Sequence, residues 1–334
     1  MDLFTQGALG AIAAQAATRD RDQARIACGF GFLAGLAPDL DALIRSPTDP
    51  LIFLEYHRHF THALPFIPVG ALICAGLLHG LFARRWQVPF HRTALFCFLG
   101  YATHGLLDAA TTYGTMLLWP FSTERFAWSL VSIVDPLFTV PIAGLAAWSW
   151  TRRSPAFATA GLGWAALYMS LALFQHRSAE AAAWQLANAR GHAPTRLEVK
   201  PSFGNILVWK SIYETEDRFY VDAVRAGWKP RTFDGTVLPK LNVARDFPWL
   251  DPTSRQANDI ERFRFFSNGY IATDPAHPNR IVDIRYSFVP NDANALWSVE
   301  LSQDAAAEDH VRYLTHRNDA RRNLARLWRM IVEP

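Results

Sequence analysis

The stretch EYHRHFTHALPF, residues 55–66, sets His57, His59 and His62 within six positions and puts the cation Arg58 among them. Three further short runs carry groups of the same chemistry. They are Asp39 and Asp41 in PDLD, His104 and Asp108 in THGLLD, and Asp135 in SIVDP. A spacing of four puts His104 and Asp108 on one helix face. Mixed imidazole and carboxylate ligands suit Zn²⁺, Mn²⁺ or non-haem Fe. Two ions about 3.5–4 Å apart activate a water and hold both oxygens of a displacement at phosphorus or carbon. Arg58 is suited to bind an anionic group through two parallel hydrogen bonds. Taken singly, each run has a plainer reading. PDLD is a common turn or helix start, a lone His104 can bond a neighbouring helix, HRHFTH can face lipid phosphate, and Asp135 can pair with an arginine. Their joint placement beside the same ends of apolar segments favours one shared metal pocket.

Those segments set the frame. Residues 1–175 are dominated by Ala, Leu, Phe, Gly and Trp, whereas all four lysines (Lys200, Lys210, Lys229, Lys240) lie in 176–334. A spanning helix needs about 20 mostly apolar residues. Segments near 63–83, 93–110, 128–150 and 155–175 meet that length or nearly so. Residues 26–44 are a weaker fifth, and 3–17 are short enough to be interfacial or re-entrant. The expected fold is an N-terminal α-helical transmembrane bundle of about four to six membrane segments, residues 1–175. A β-rich soluble α+β domain, residues 176–334, follows it.

Arginines orient the spans, because cytoplasmic loops are enriched in them. Arg19, Arg21 and Arg25, then Arg84, Arg85 and Arg92, then Arg152 and Arg153, mark three connections on one side. This places the histidine run and residues 176–334 on the outer side of a bacterial inner membrane. His79 and His91 fall toward the opposite surface. No cleavable leader is expected, since the basic cluster follows the first apolar run. A net charge of +3 offers no reason to expect nucleic acid as a partner, and Cys28, Cys74 and Cys97 lack metal-site or redox spacing. In the second half, 207–226 alternates as strands, 260–274 reads as a hairpin around Asn268-Gly269, 281–290 and 295–303 read as strands, and 305–331 as a basic helical stretch. Helix 63–83 is expected to start near Thr61 as its N-cap. His57 would then approach from the loop and His62 from the first turn.

Three blocks, GLAPDLD, YHRHFTHALPF and GYATHGLLDAATTYGTMLLWPF, resemble those of the YdjM-type bacterial membrane-bound metal-dependent hydrolases, over residues 1–125. That family shows Pro-Asp-x-Asp, then His-Arg-Gly-x-Thr-His-Ser, then Gly-Tyr-x-x-His-x-x-x-Asp. The resemblance implies a divalent metal, one or two ions with Zn the first choice and Mn or Fe the others. It puts Asp39, Asp41, His57, His62, His104 and Asp108 on the ligand positions. This chain departs from the pattern at Gln6, where the family has a histidine, at His59 for Gly, Ala63 for Ser and Thr112 for Pro. His59, three before His62, is placed to compensate for Gln6.

The reading is a membrane-bound metal-dependent hydrolase acting on an ester or phosphoester of a lipid or lipid-linked substrate. Arg58, His59 and Asp135 are the catalytic candidates, Arg58 stabilising developing anionic charge. Two rivals stand: a membrane di-iron oxidase or hydroxylase, and a non-catalytic metal-binding scaffold. The first needs about eight histidines, and only six precede His176.

Overall fold

The computed structural model describes residues 1–18, 23–316 and 320–332. Arg19 and Arg21, used above for orientation, lie outside the described residues. The chain forms two compact units. The first comprises Met1–Ile44, Tyr56–Leu173 and Phe203–Asn205, and the second Arg45–Glu55, Phe174–Ser202 and Ile206 onward.

In the first unit, α1 (Leu3–Ala16) is capped by Asp2, whose side chain accepts from the amide of Thr5. Helix α2 (Ala24–Leu36) tightens into a 3-10 segment, Ala37–Leu43, at Pro38. After α3 (Ile52–Tyr56), two 3-10 turns, Phe60–His62 and Leu64–Phe66, lead into α4 (Ile67–Leu78), which ends in a π-turn, His79–Ala83. Helices α5 (Phe90–Ala109) and α6 (Pro136–Arg152) follow. Helix α7 (Pro155–Ala189) begins in the first unit and belongs to the second from Phe174 on.

The surface of this unit is apolar as well as its interior. Leu72, Ile73, Leu77, Val140 and Leu167 point outward, while small residues such as Ala8, Ala11, Ala14, Ala27 and Ala34 and polar groups such as Thr5, Gln6 and Gln15 are buried beside Phe30, Phe96 and Phe138. Such a surface suits hydrocarbon, and small residues let helices approach closely. The clearest case is Gly100, where an added Cβ would lie 2.3 Å from the carbonyl oxygen of Gly31. Only a glycine there lets α5 lie directly on α2. Among the described residues three helices are long and apolar enough to cross a membrane: Ala24–Leu43, Leu64–Ala83 and Pro155–Ala189.

The second unit holds two four-stranded antiparallel sheets. One runs β1 (Arg196–Pro201), β2 (Val208–Glu214), β3 (Arg218–Arg225) and β4 (Arg231–Pro239) in that order, and the other runs β5 (Ile271–Asp274), β6 (His277–Asp283), β7 (Trp297–Glu300) and β8 (Arg312–Thr315). Helices α8 (Val243–Asp246), α9 (Arg255–Phe266) and α10 (Ala320–Val332) complete it. Ile212, Phe219, Tyr270 and Val282 share one core cluster.

Several sequence expectations are corrected. The 260–274 stretch is not a hairpin: its first part is the C-terminal half of α9, which Ser254 caps. Asn268 and Gly269, at φ 51° and 76°, end the helix in left-handed conformation before β5. Residues 305–331 are not one helical stretch, since β8 precedes α10. Helix 63–83 does not start at Thr61. Pro65 restricts Leu64, α4 begins at Ile67, and the Thr61 hydroxyl donates to Asp41 instead of capping. In the 128–150 segment only the part from Pro136 is helical.

Within the second unit, Arg262 of α9 gathers the segment that links Ile44 to Tyr56. Its Nε lies 2.5 Å from Glu55, its Nη2 2.8 Å from Asp49, and its Nη1 2.8 Å from the buried Asp259. Phe53 adds a ring contact with Tyr313 at 5.1 Å. That segment delivers the chain to His57, so Arg262→Ala is expected to loosen it. Hydrogen exchange should show amides 51–55 exchanging at least about tenfold faster, equivalent to ~1.4 kcal/mol. Unchanged exchange would show that the apolar contacts alone hold the segment.

Candidate metal centre

Four side chains from three parts of the first unit meet in its interior. Asp39 comes from the 3-10 segment after α2, His62 from the turn before α4, and His104 and Asp108 from successive turns of α5. The two imidazoles face each other, His62 Nε2 lying 3.0 Å from His104 Nε2. Asp39 Oδ1 is 3.4 Å from both nitrogens, and Asp108 Oδ2 is 3.2 Å from His62 Nε2 and 3.6 Å from His104 Nε2. A tetrahedron with metal–ligand bonds of about 2.0–2.1 Å has edges of about 3.3–3.4 Å. These five separations match such edges to within a few tenths of an ångström, and all four ligand atoms lie within 4.8 Å of one another.

The outer contacts orient these ligands. His104 Nδ1 donates to the carbonyl of Gly35 at 2.6 Å, so in the neutral ring Nε2 carries the lone pair. His62 Nδ1 lies 3.0 Å from the Thr61 hydroxyl and 3.2 Å from Asp41 Oδ2, which likewise turns its Nε2 lone pair inward. Imidazole ligands in metal sites usually donate their other N–H to a carboxylate or backbone carbonyl, and both partners are here. Asp108 Oδ2 also forms an ion pair with Arg58, whose Nε lies 3.0 Å away. Two facing lone pairs among carboxylates require a positive charge between them. Burial lowers the proton affinity of His62, but hydrogen bonds to Asp108, Asp39 and Asp41 outweigh it and raise its pKa to about 10. The charge is thus a proton on His62 or a metal ion bound in exchange for it.

A second group, Asp39, Asp41 and His57, shares Asp39 with the first and is more open. The side chain of His57 is 23% exposed and that of Asp39 12%. Asp41 is buried and collects four donors or ring nitrogens: the Arg58 amide and Thr61 hydroxyl at 2.9 Å each, His57 Nδ1 at 2.9 Å and His62 Nδ1 at 3.2 Å. The backbone of Arg58 is left-handed at φ 63°. That turn presents its amide to Asp41 while its guanidinium reaches Asp108 and the Thr111 hydroxyl, the latter at 2.7 Å.

All six residues of the expected ligand set thus lie in these two groups. Of the three catalytic candidates, Arg58 touches Asp108, with its side chain almost wholly buried. His59 stands beside the site among the rings of Tyr56, Phe60 and Trp119. Asp135 is not brought into the cluster. It accepts from the Phe138 amide at the start of α6 and from Tyr168 at 2.8 and 2.9 Å. Gln6, in the position of the family's histidine, donates to Asp108 Oδ1 at 2.8 Å, and its buried Oε1 has no hydrogen-bond partner among the described residues. Sequence reasoning missed the Met1 amino group, which also contacts Asp108, and Thr111 and Tyr101, whose hydroxyl donates to the Thr61 carbonyl at 2.8 Å. The absence of a side chain at Gly105 leaves room for the backbone of His62: a Cβ there would lie 2.2 Å from its carbonyl oxygen.

A family model described as YdjM inner membrane protein matches residues 1–179, which contain every residue of both groups. The chain belongs to the YdjM inner membrane protein family. The resemblance read from its three motifs therefore holds. Among curated relatives, it is 29% identical over 136 residues to "Uncharacterized protein YfhP" of Bacillus subtilis (strain 168), a match covering 40% of this chain and 38% of that protein. It is 33% identical over 108 residues to "Inner membrane protein YbcI" of Escherichia coli (strain K12), covering 31% of this chain and 60% of that one. The chain thus spans less than two thirds of either relative. No solved structure matches it.

For this YdjM-family centre, His104→Ala and Asp108→Asn are each expected to lower bound divalent metal at least about tenfold in affinity, the size typical of lost direct or supporting contacts. His91→Ala, on the first turn of α5, should leave it unchanged. Elemental analysis of the purified variants decides. Equal loss in His91→Ala, or full metal in His104→Ala, would rule out this pocket.

Proposed function

We propose that the protein is a membrane-bound metal-dependent hydrolase that cleaves an ester or phosphoester of a lipid or lipid-linked substrate. The observation that carries this reading is the near-tetrahedral set formed by Asp39, His62, His104 and Asp108, with an outer partner on each imidazole. A divalent ion bound there supplies Lewis acidity and a water of lowered pKa. The chain's own residues do the rest. Asp41 holds His57 and His62 in orientation, and Arg58 and Gln6 hold Asp108. The partly exposed Asp39 and His57 form the accessible edge, where His57 is placed to accept a proton from an attacking water or to ligate a second ion. His59 and its aromatic neighbours stand next to that edge and are placed to contact substrate.

Location supports a lipid substrate. Asp39 and Asp41 end the candidate span Ala24–Leu43, and His57 and His62 precede Leu64–Ala83, so the ligands gather at one membrane boundary. Arg84, Arg85 and Arg92 follow the far end of the latter span, so this boundary is the extracytoplasmic one. Impermeant thiol labelling of intact cells should then modify Lys229→Cys and spare Gln87→Cys, and the reverse pattern would invert the orientation.

A second reading has its own observation: four protein ligands close the inner group, as in structural sites, which favours a metal-stabilised scaffold. Turnover separates the two. Purified protein is screened against chromogenic esters and phosphoesters with short and long alkyl chains. Hydrolysis abolished by chelation and restored by Zn²⁺ or Mn²⁺ is expected. Bound metal with no turnover across the panel leaves the scaffold, and oxygen consumption with bound iron would favour an oxidase. Arg58→Lys refines the assignment, since Lys lacks the planar fork. If Arg58 positions Asp108, metal affinity and turnover fall together. Loss of turnover at full metal occupancy would place Arg58 on the substrate.

A further inference from the structure

Helix α10 carries Arg322, Arg326 and Arg329 at i, i+4 and i+7, one stripe about 10.5 Å long at 1.5 Å per residue. Its apolar side is fixed. Leu327 is buried with Met330 and Ile331 against Val208, Ala223 and Phe233, and Arg225 donates to the Ile331 carbonyl at 3.5 Å. These contacts hold the helix on the body of the second unit, where two cavities flank Arg326. One, of about 330 Å³, is lined by Arg322, Asn323 and Arg326 with His316 and Asn294. The other, of about 300 Å³, is lined by Arg326 and Arg329 with Arg231 and Asn291.

The charge on these walls is one-sided. Four guanidiniums, those of Arg231, Arg322, Arg326 and Arg329, border the two cavities, and no carboxylate is among the described lining residues. Asp292 pairs with Arg326 at 3.3 Å, and the Asn291 amide donates to the Asp234 carbonyl at 2.8 Å. Arg322 and Arg329 are exposed and have no ion-pair partner among the described residues. The donors of a guanidinium form a fixed fork that matches phosphate oxygens bidentately, and a groove of one sign concentrates anions of the other.

We propose that the cleft along α10 binds a phosphate-bearing ligand with two or more negative charges, Arg326 standing between its two lobes. This site is independent of the metal centre: every residue in it belongs to the second unit. The same chemistry comes from free phosphate compounds or from an anionic lipid headgroup, and the test separates them. Inorganic pyrophosphate is titrated by calorimetry into the full chain in nonionic detergent, after chelation of divalent metal. Saturable binding is expected, weakened at least about tenfold in an Arg322→Gln/Arg329→Gln double variant and unchanged in Arg321→Gln, a neighbour that lines neither cavity, and in His104→Ala. Displacement by water-soluble dihexanoyl phosphatidic acid, whose phosphomonoester approaches two negative charges at mildly alkaline pH, assigns the cleft to a lipid headgroup, and retention assigns it to a free phosphate compound. No binding, equal binding by the double variant, or loss in His104→Ala would overturn the proposal.

Discussion

Three carboxylates and two imidazoles converge in the interior of the first unit, and that convergence persists only while positive charge is shared among them. Asp41 and Asp108 are almost wholly buried, and Asp39 is partly exposed beside them. An unpaired carboxylate in such surroundings costs several kcal/mol, and more so beside hydrocarbon. Arg58 meets part of the demand at Asp108, which the Met1 amino group also contacts. The remainder falls between His62 Nε2 and His104 Nε2, where a proton or a divalent ion satisfies it. The outer partners leave both nitrogens no other orientation, so the pocket is organised before a ligand enters it.

The helices are arranged to permit that convergence. α5 carries His104 and Asp108 on one face, and its contact with α2 through Gly100 and Gly31 brings His104 within reach of the Gly35 carbonyl. The 3-10 segment Ala37–Leu43 then turns Asp39 and Asp41 toward the same point, whereas a continued α-helix would advance each residue by 100° and point the two apart. The left-handed Arg58 completes the enclosure, since one residue serves Asp41 through its backbone and Asp108 through its side chain. A left-handed non-glycine residue costs of order 1–3 kcal/mol, which these two contacts offset.

Much of the centre was legible in the sequence because its signals are local. The four-residue spacing of His104 and Asp108, the PDLD pair and the clustered histidines survive as side-chain patterns whatever the tertiary fold. What stayed hidden lies in backbone and long-range contacts. The Gly35 carbonyl and the Met1 amino group have no side-chain signature, and the bond from Tyr168 that takes Asp135 out of the site joins residues 33 apart in sequence. The fold shows the same division. β2 and β3 were legible from alternating aromatic and β-branched residues. β4 was not, because most of its residues are exposed on both faces. In sequence, α9 reads as a strand because Phe263, Phe265 and Phe266 suggest β structure, while the Ser254 cap and the burial of Ile260, Phe263 and Phe266 favour a helix. The second 3-10 turn ahead of α4 contains Pro65, and Pro68 sits at the start of α4, which together outweigh the capping signal at Thr61.

The central claim is that oxygen and imidazole ligands, and no thiolate, hold a divalent ion in this bundle. X-ray absorption spectroscopy on the zinc-loaded protein tests it most directly. The account predicts a first shell of nitrogen and oxygen at about 2.0–2.1 Å with the outer-shell scattering of two imidazoles. A sulfur shell near about 2.3 Å, from Cys28, Cys74 or Cys97, or a shell without imidazole, would contradict it.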